Sequence, residues 1–406
     1  MFRALSEEAR YLMAMRAVRS VGQGALVVDF ALYLHALHWS APAIGTLFMG
    51  ALLLSAMMAL AVGPLSDRRG RKGFLLAYEW AQILAAGLAL GSSNPWILGT
   101  AAVLGSFGHG LNGGAGPFAP VELAWLSEFV DAHERARVYS LNTAGGFTGM
   151  GIGAVLASLP HFLAPLLPGA LSYRPLFALV LLTAVTGLVF LRHIPDECPV
   201  PQVQDDRPEG HALTRSENRR LLKLLGINAL NGIGIGLMGP LMAYWFAIRF
   251  GHGPLSIGPV MGLALFTTAG ASLFVGRLTH RFGAVRAILG MRYLGLIVLL
   301  ILPFAPTFWA AAVLYVLRSA LNRGTAGARQ ALNLGLVRGH RRGLAASLNN
   351  VSVQVPRAFG PLVAGLLYHV GFLALPFFIA GGFQALYLVL YRRLFRHLAP
   401  TGASGE

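Results

Sequence analysis

Long apolar runs alternate with short charged links along the whole chain. Twelve runs are marked, roughly 11–38, 42–65, 73–90, 96–117, 138–159, 174–191, 221–248, 258–278, 284–302, 309–332, 344–370 and 375–394. Each is about 18 residues or longer, near what a helix needs to cross a bilayer. The links are so short that consecutive helices must run antiparallel. One polar stretch is long, 193–220, and contains PDECPVPQVQDDRPEG. Its prolines and acids bar a spanning helix, so it predicts a linker between two six-helix halves, 1–192 and 221–406. Basic residues concentrate in the links after even-numbered runs: Arg68, Arg69, Arg71 and Lys72, then Arg135 and Arg137, Arg281 and Arg286, and Arg338, Arg341 and Arg342. Arg392, Arg393 and Arg396 follow the last run, whereas the opposite links hold only Arg174 and Arg249. Positive charge stays on the cytoplasmic side, so both termini and the linker are expected there.

The two halves read as copies. Gly63-x-Leu65-Ser66-Asp67-Arg68-x-Gly70 returns as Gly276-x-Leu278-Thr279-His280-Arg281-x-Gly283, an offset of 276 − 63 = 213. Ile44-Gly45 returns as Ile257-Gly258 at the same offset, 257 − 44 = 213. Arg135, Ser140, Leu141 and Asn142 are echoed by Arg342, Ser347, Leu348 and Asn349. The loop Gly63 to Lys72 resembles the signature Gly-x-Leu-x-Asp-Arg-x-Gly-Arg-Arg/Lys of the major facilitator superfamily, matching at Gly63, Leu65, Asp67, Arg68, Gly70, Arg71 and Lys72. That resemblance implies an all-α integral membrane fold of twelve transmembrane helices in two parallel repeats. It also implies that Gly63, Asp67, Arg68, Gly70 and Arg71 form a conformational latch. Asp67 would lie at the positive start of the eleventh helix, near Leu344, and Arg68 and Arg71 would pair with nearby acids. The bland alternative is a topology signal alone. In the second copy His280 replaces the acid, so only the first loop is complete.

Composition narrows the function. The chain has 406 residues, 55% hydrophobic and 12% charged, where soluble domains carry about a quarter charged. A net charge of +16 suggests nucleic acid only if one solvated face carries it, and here the arginines sit between apolar runs. Cys198 is the single cysteine, which excludes an internal disulfide. The N-terminal stretch lacks the pattern of a removable signal peptide. No Gly-Lys-Ser/Thr phosphate loop, His-Glu-x-x-His, Cys pair or nucleophile elbow occurs. The expectation is no enzyme, no cofactor and no metal. The expected partners are a lipid bilayer, a small-molecule substrate and protons, with no nucleic acid and a monomer as the working unit. Arginine far exceeds lysine, which hints at a GC-rich genome and a bacterial inner membrane.

Polar residues inside spans are functional candidates by default. The resemblance implies that the first, fourth, seventh and tenth helices line the central cavity. The substrate-binding candidates are Arg16, Arg19 and Asp29 in the first, His109 and Asn112 in the fourth, Asn228 and Asn231 in the seventh, Arg318, Asn322 and Arg323 in the tenth, and Arg357 in the eleventh. Arg16 and Arg19 share a face and either line the cavity or snorkel to the interface. Arg318 falls mid-span, with Asp29 or a bound anion as its expected partner. Asp29 is the proton-coupling candidate, because burial favours a neutral carboxyl and a nearby arginine a charged one. Glu79 is expected as a weaker proton carrier or a partner of the loop arginines, and Glu122 as an interfacial residue. The superfamily's antiporters carry Gly-x-x-x-Gly-Pro-x-x-Gly-Gly in the fifth helix. The equivalent here is Gly149, Gly153, Ala154, Ala157 and Ser158, without the proline, and Ser106 stands where drug/proton antiporters have an arginine. The reading is a secondary transporter working by alternating access. Its substrate is expected to be an anionic or amphipathic solute, since arginine's planar fork suits carboxylate and phosphate. A proton-coupled exporter of apolar or cationic compounds is the alternative, and a receptor of the same fold a third.

Overall fold

The computed structural model describes residues 5–108, 116–131, 134–195, 215–329 and 342–395. The described residues hold fifteen α-helices and no strand: α1 Glu7–Ala36, α2 Ala41–Arg69, α3 Lys72–Gly91, α4 Pro95–Gly105, α5 Ala119–Leu126, α6 Arg135–Leu156, α7 Leu159–Leu163, α8 Arg174–Arg192, α9 Arg215–Met238, α10 Met242–Phe250, α11 Pro254–Phe282, α12 Ala284–Ile301, α13 Phe308–Arg323, α14 Arg342–His369 and α15 Leu375–Phe395. Local chemistry sets their starts. Ser6 caps α1, accepting from the Ala9 amide, with Glu7 and Glu8 in the first turn. Ser40 and Thr307 cap α2 and α13 in the same way.

Eight described helices or helix pairs are long and apolar enough to cross a bilayer, or nine if the bent pair α9–α10 is one span. Two expected continuous runs are broken. The seventh bends by 40° between α9 and α10, where Gly239-Pro240 removes a helix donor and the best helix formers. The fourth stops at Gly105, and Ser106 adopts a left-handed conformation at φ +54°. The glycine-rich stretch that follows, ending in Pro117, has little helix propensity.

The halves pack alike. In the first, α1 lies against α6 and α8, and α3 against α4 and α8; in the second, α9 lies against α14 and α15, and α12 against α13 and α15. The α1–α6 contact depends on small residues: a Cβ on Gly153 would stand 1.8 Å from the Val21 carbonyl oxygen. The loop repeat is visible in the backbone as well. Gly70 ends α2 at φ +90° and Gly283 ends α11 at φ +81°, a conformation that costs any other residue a Cβ clash.

Two seams join the halves, α2 with α14 and α6 with α11. A Cβ on Gly45 would meet the Pro361 carbonyl at 2.4 Å, one on Gly365 the Ala41 carbonyl at 2.4 Å, and one on Gly258 the Ala154 carbonyl at 2.6 Å. All three contacts lie at the end opposite the arginine-rich links. There the halves are in close contact.

Candidate functional site

Two polar clusters stand inside the apolar body, one in each half. In the first half, α1 presents Arg16 and Arg19 to Glu79 of α3 and Glu122 of α5. Arg19 donates to Glu79 Oε1 at 2.9 Å and also pairs with Glu122, while Arg16 approaches Glu122 at 3.5 Å. The Arg19 guanidinium lies 5.3 Å from the Tyr78 ring centroid, and Gln23 donates to the Tyr78 hydroxyl at 3.2 Å. Two cations thus meet two carboxylates, and all four side chains are buried. Glu122 is therefore a core residue, not the interfacial one expected. Glu79 pairs with Arg19 and with no described loop arginine, because α3 turns it inward towards α1. Neither Arg16 nor Arg19 snorkels: their heads reach acids inside the half.

The second half is built differently. Arg292 on α12, Arg318 on α13 and Arg357 on α14 are 2%, 8% and 2% exposed, and residues 218–405 contain no aspartate or glutamate at all. Each arginine lies within repulsive reach of another. Arg329 and Arg318 act on Arg292, Arg323 acts on Arg318, and Arg323 acts on Arg357. The partners present are neutral. Arg292 donates to Asn231 Oδ1 at 2.6 Å, Arg357 to Gln354 Oε1 at 3.1 Å and Arg323 to Ser319 Oγ at 3.3 Å. The Nε of Arg318 and that of Arg292 have no hydrogen-bond partner among the described residues. Asn322 donates to Gln384 Oε1 at 3.3 Å, and Gln384 in turn donates to the Arg292 carbonyl at 3.2 Å. Asn228 is buried one turn before Asn231.

Asp29 is 1% exposed, and neither carboxyl oxygen finds a donor among the described residues. No described ion pair joins it to Arg318, contrary to expectation. Its surroundings are aromatic: the ring of Tyr33, one turn on, packs against Tyr173 and Phe177 at 5.9 and 5.4 Å.

Of the loop residues, Arg71 pairs with Glu128, inside its own half. The side chains of Gly63, Asp67 and Arg68, and those at the start of α14, lie outside the described residues, as do His109 and Asn112. A cavity of about 560 Å³ opens beside Trp245, Arg249, Phe304 and Phe372, and no candidate residue lines it. Sequence reasoning missed Arg292, which sits on a helix not expected to face the cavity. The signal was present all the same: a basic residue within an apolar run in a half with no acid before Glu406.

The Major Facilitator Superfamily profile matches residues 12–226 and again 224–405. The chain belongs to the major facilitator superfamily. A gentisate transporter of Corynebacterium glutamicum is 24% identical over 305 residues, covering 70% of this chain and 64% of that protein, so the match spans just under two thirds of the relative's length. The quinolone resistance protein NorA of Staphylococcus aureus is 21% identical over 362 residues, 86% of this chain and 87% of NorA. Among solved structures, a D-xylose-proton symporter superposes with a TM-score of 0.72 at 14% identity, over 95% of this chain and 97% of that one. The nucleoside transporter NupG gives 0.70 at 12% identity, over 96% and 100%. These superfamily structures share the fold with this chain. Its helices, its two halves and its relatives are those of a membrane transporter.

Proposed function

We propose that this superfamily member is a secondary transporter of a small organic anion, working by alternating access across twelve spans with both termini in the cytoplasm. The carrying observation is the string of arginines in a half whose only acid is its last residue, Glu406. Arginine stays charged in proteins, and a buried cation without a carboxylate is expensive. Arg318 is the principal anion ligand, with Arg323 and Arg357 beside it. A carboxylate arriving between them supplies the charge the half lacks. Similarity to a gentisate transporter, whose named solute is a carboxylate, supports that class. Asp29 is the proton carrier in this reading: it is buried without a cation, so it has a proton to gain and lose as the cavity opens and closes.

A second reading rests on Asp29 itself. An unpaired carboxyl among Tyr33, Tyr173 and Phe177 also suits an apolar cation, and the similarity to a quinolone resistance protein supports a drug exporter as the second class. The two readings separate in one experiment. Purified protein is screened for thermal stabilisation by anionic, cationic and apolar solutes at acid and alkaline pH, because a ligand that binds only the folded state raises the melting temperature. The anion reading expects stabilisation by aromatic or aliphatic carboxylates that Arg318→Ala abolishes and Arg318→Lys partly restores. Stabilisation by cations alone, untouched by Arg318→Ala and lost in Asp29→Asn, overturns it. In vesicles, Asp29→Asn is expected to remove the pH dependence of uptake; an unchanged pH profile excludes Asp29 as the carrier.

A further inference from the structure

The internal repeat relates the two buried clusters residue by residue. Arg16 and Arg19 correspond to Asn228 and Asn231 (228 − 16 = 231 − 19 = 212), one residue from the loop offset. Glu79 corresponds to Arg292 at the loop offset itself, 292 − 79 = 213. Glu122 corresponds to Arg329, 329 − 122 = 207, the offset that also relates Arg135 to Arg342. The structure keeps the central contact. Arg19 of α1 bonds Glu79 of α3 at 2.9 Å, and Asn231 of α9 bonds Arg292 of α12 at 2.6 Å. Every charge has changed, however. The first-half cluster holds two cations and two anions, whereas its counterpart holds two cations and two amides.

The second site is thus the first with its anions missing. Arg292 is 2% exposed. One face of its guanidinium lies 4.5 Å from the Tyr387 ring centroid, its Nη2 is spent on Asn231, and its Nε is unpartnered among the described residues. Arg329 adds a second positive charge within electrostatic reach. We propose that Arg292, with Arg329 and the amide of Asn231, binds a resident small inorganic anion of chloride or phosphate size that takes the place of the carboxylates of the first half. Arg318, where the substrate reading places its ligand, lies within electrostatic reach of this site, so the test separates the two. Its ring-covered burial suits an anion of a few atoms rather than a lipid headgroup.

The test uses the full-length protein in an uncharged detergent, with melting temperature as readout. Sodium chloride or phosphate replaces sodium morpholinoethanesulfonate, a bulky anion that is not a carboxylate, at constant ionic strength. Wild type is expected to melt roughly 3 °C higher in the small anions. Asn231→Asp places a carboxylate against Arg292 and is expected to remove the response while raising the melting temperature in the sulfonate salt. Arg292→Met is expected to remove the response by removing the charge, and it carries the test should Asn231→Asp fail to fold. Arg318→Ala is expected to keep the full response. The proposal is overturned if wild type shows no anion response, or if Arg292→Met retains it. It is equally overturned if Arg318→Ala abolishes the response, which would assign the anion to the substrate site and leave the transport reading standing. Stabilisation by phosphatidylglycerol but not by the free anions would assign the charge to a lipid and overturn it too.

Discussion

Arg19 shows how a single residue decides between readings. From spacing alone it has two fates, the cavity wall or the lipid interface, because a long side chain near a helix end can reach either. The fold gives it a third by bringing Glu79 from 60 residues away and Glu122 from 103. Breaking a buried pair by removing one partner leaves an uncompensated charge and costs about 3–5 kcal/mol. Glu122→Gln leaves Arg16 and Arg19 with one acid between them, and a loss of about 3 kcal/mol is expected in reversible unfolding from mixed micelles. A variant as stable as wild type would show that the cluster tolerates an unpaired cation. Arg318 is the opposite case: no described carboxylate reaches it, and that is why the substrate reading rests there and not on Arg16 or Arg19.

At the scale of elements, helix positions follow from apolar length, while helix breaks follow from glycine and proline. Gly239-Pro240 and the Gly-rich stretch before Pro117 were visible in the chain, but run length outweighed them in the expected segments. A seam between halves is set by small residues facing backbone carbonyls, which no periodicity reveals. Gly365 is one such residue: its missing Cβ would fall 2.4 Å from the Ala41 carbonyl. Gly365→Val is therefore expected to wedge α14 from α2 and cut transport at least about tenfold, equivalent to 1.4 kcal/mol. The same variant is expected to increase labelling of a cysteine introduced at Ala41 by a thiol reagent added from outside. Wild-type transport and labelling would mean that this seam does not gate the outer end.

For the whole molecule, topology rests on charge. The basic links lie on one side and the close glycine contacts between the halves at the other, which is the predicted outer face. Cys198 provides a check without further mutation, since it is the only cysteine and falls in the predicted cytoplasmic linker. A membrane-impermeant maleimide is expected to leave it unmodified in intact cells and to label it in inside-out vesicles. Labelling from outside would invert the whole assignment.

Much of this protein was legible in its residues. Hydropathy marks the long helices because a segment in lipid must bury its own backbone hydrogen bonds, but it did not mark the breaks after Gly105 and Met238. Lys and Arg placement gives an orientation, and Gly70 and Gly283 declare the repeat, because a left-handed helix stop is a local demand. Even the absence of acids between Glu217 and Glu406 was there to be counted. Only the tertiary structure decided which polar residues meet. It paired Arg16 and Arg19 with Glu79 and Glu122, set Asn231 against Arg292, and left Asp29 and Arg318 apart. The reason is physical: a charge inside a helix is costly wherever it stands, but whether that cost is cancelled depends on neighbours from distant helices, and their rotation about their own axes is set by packing.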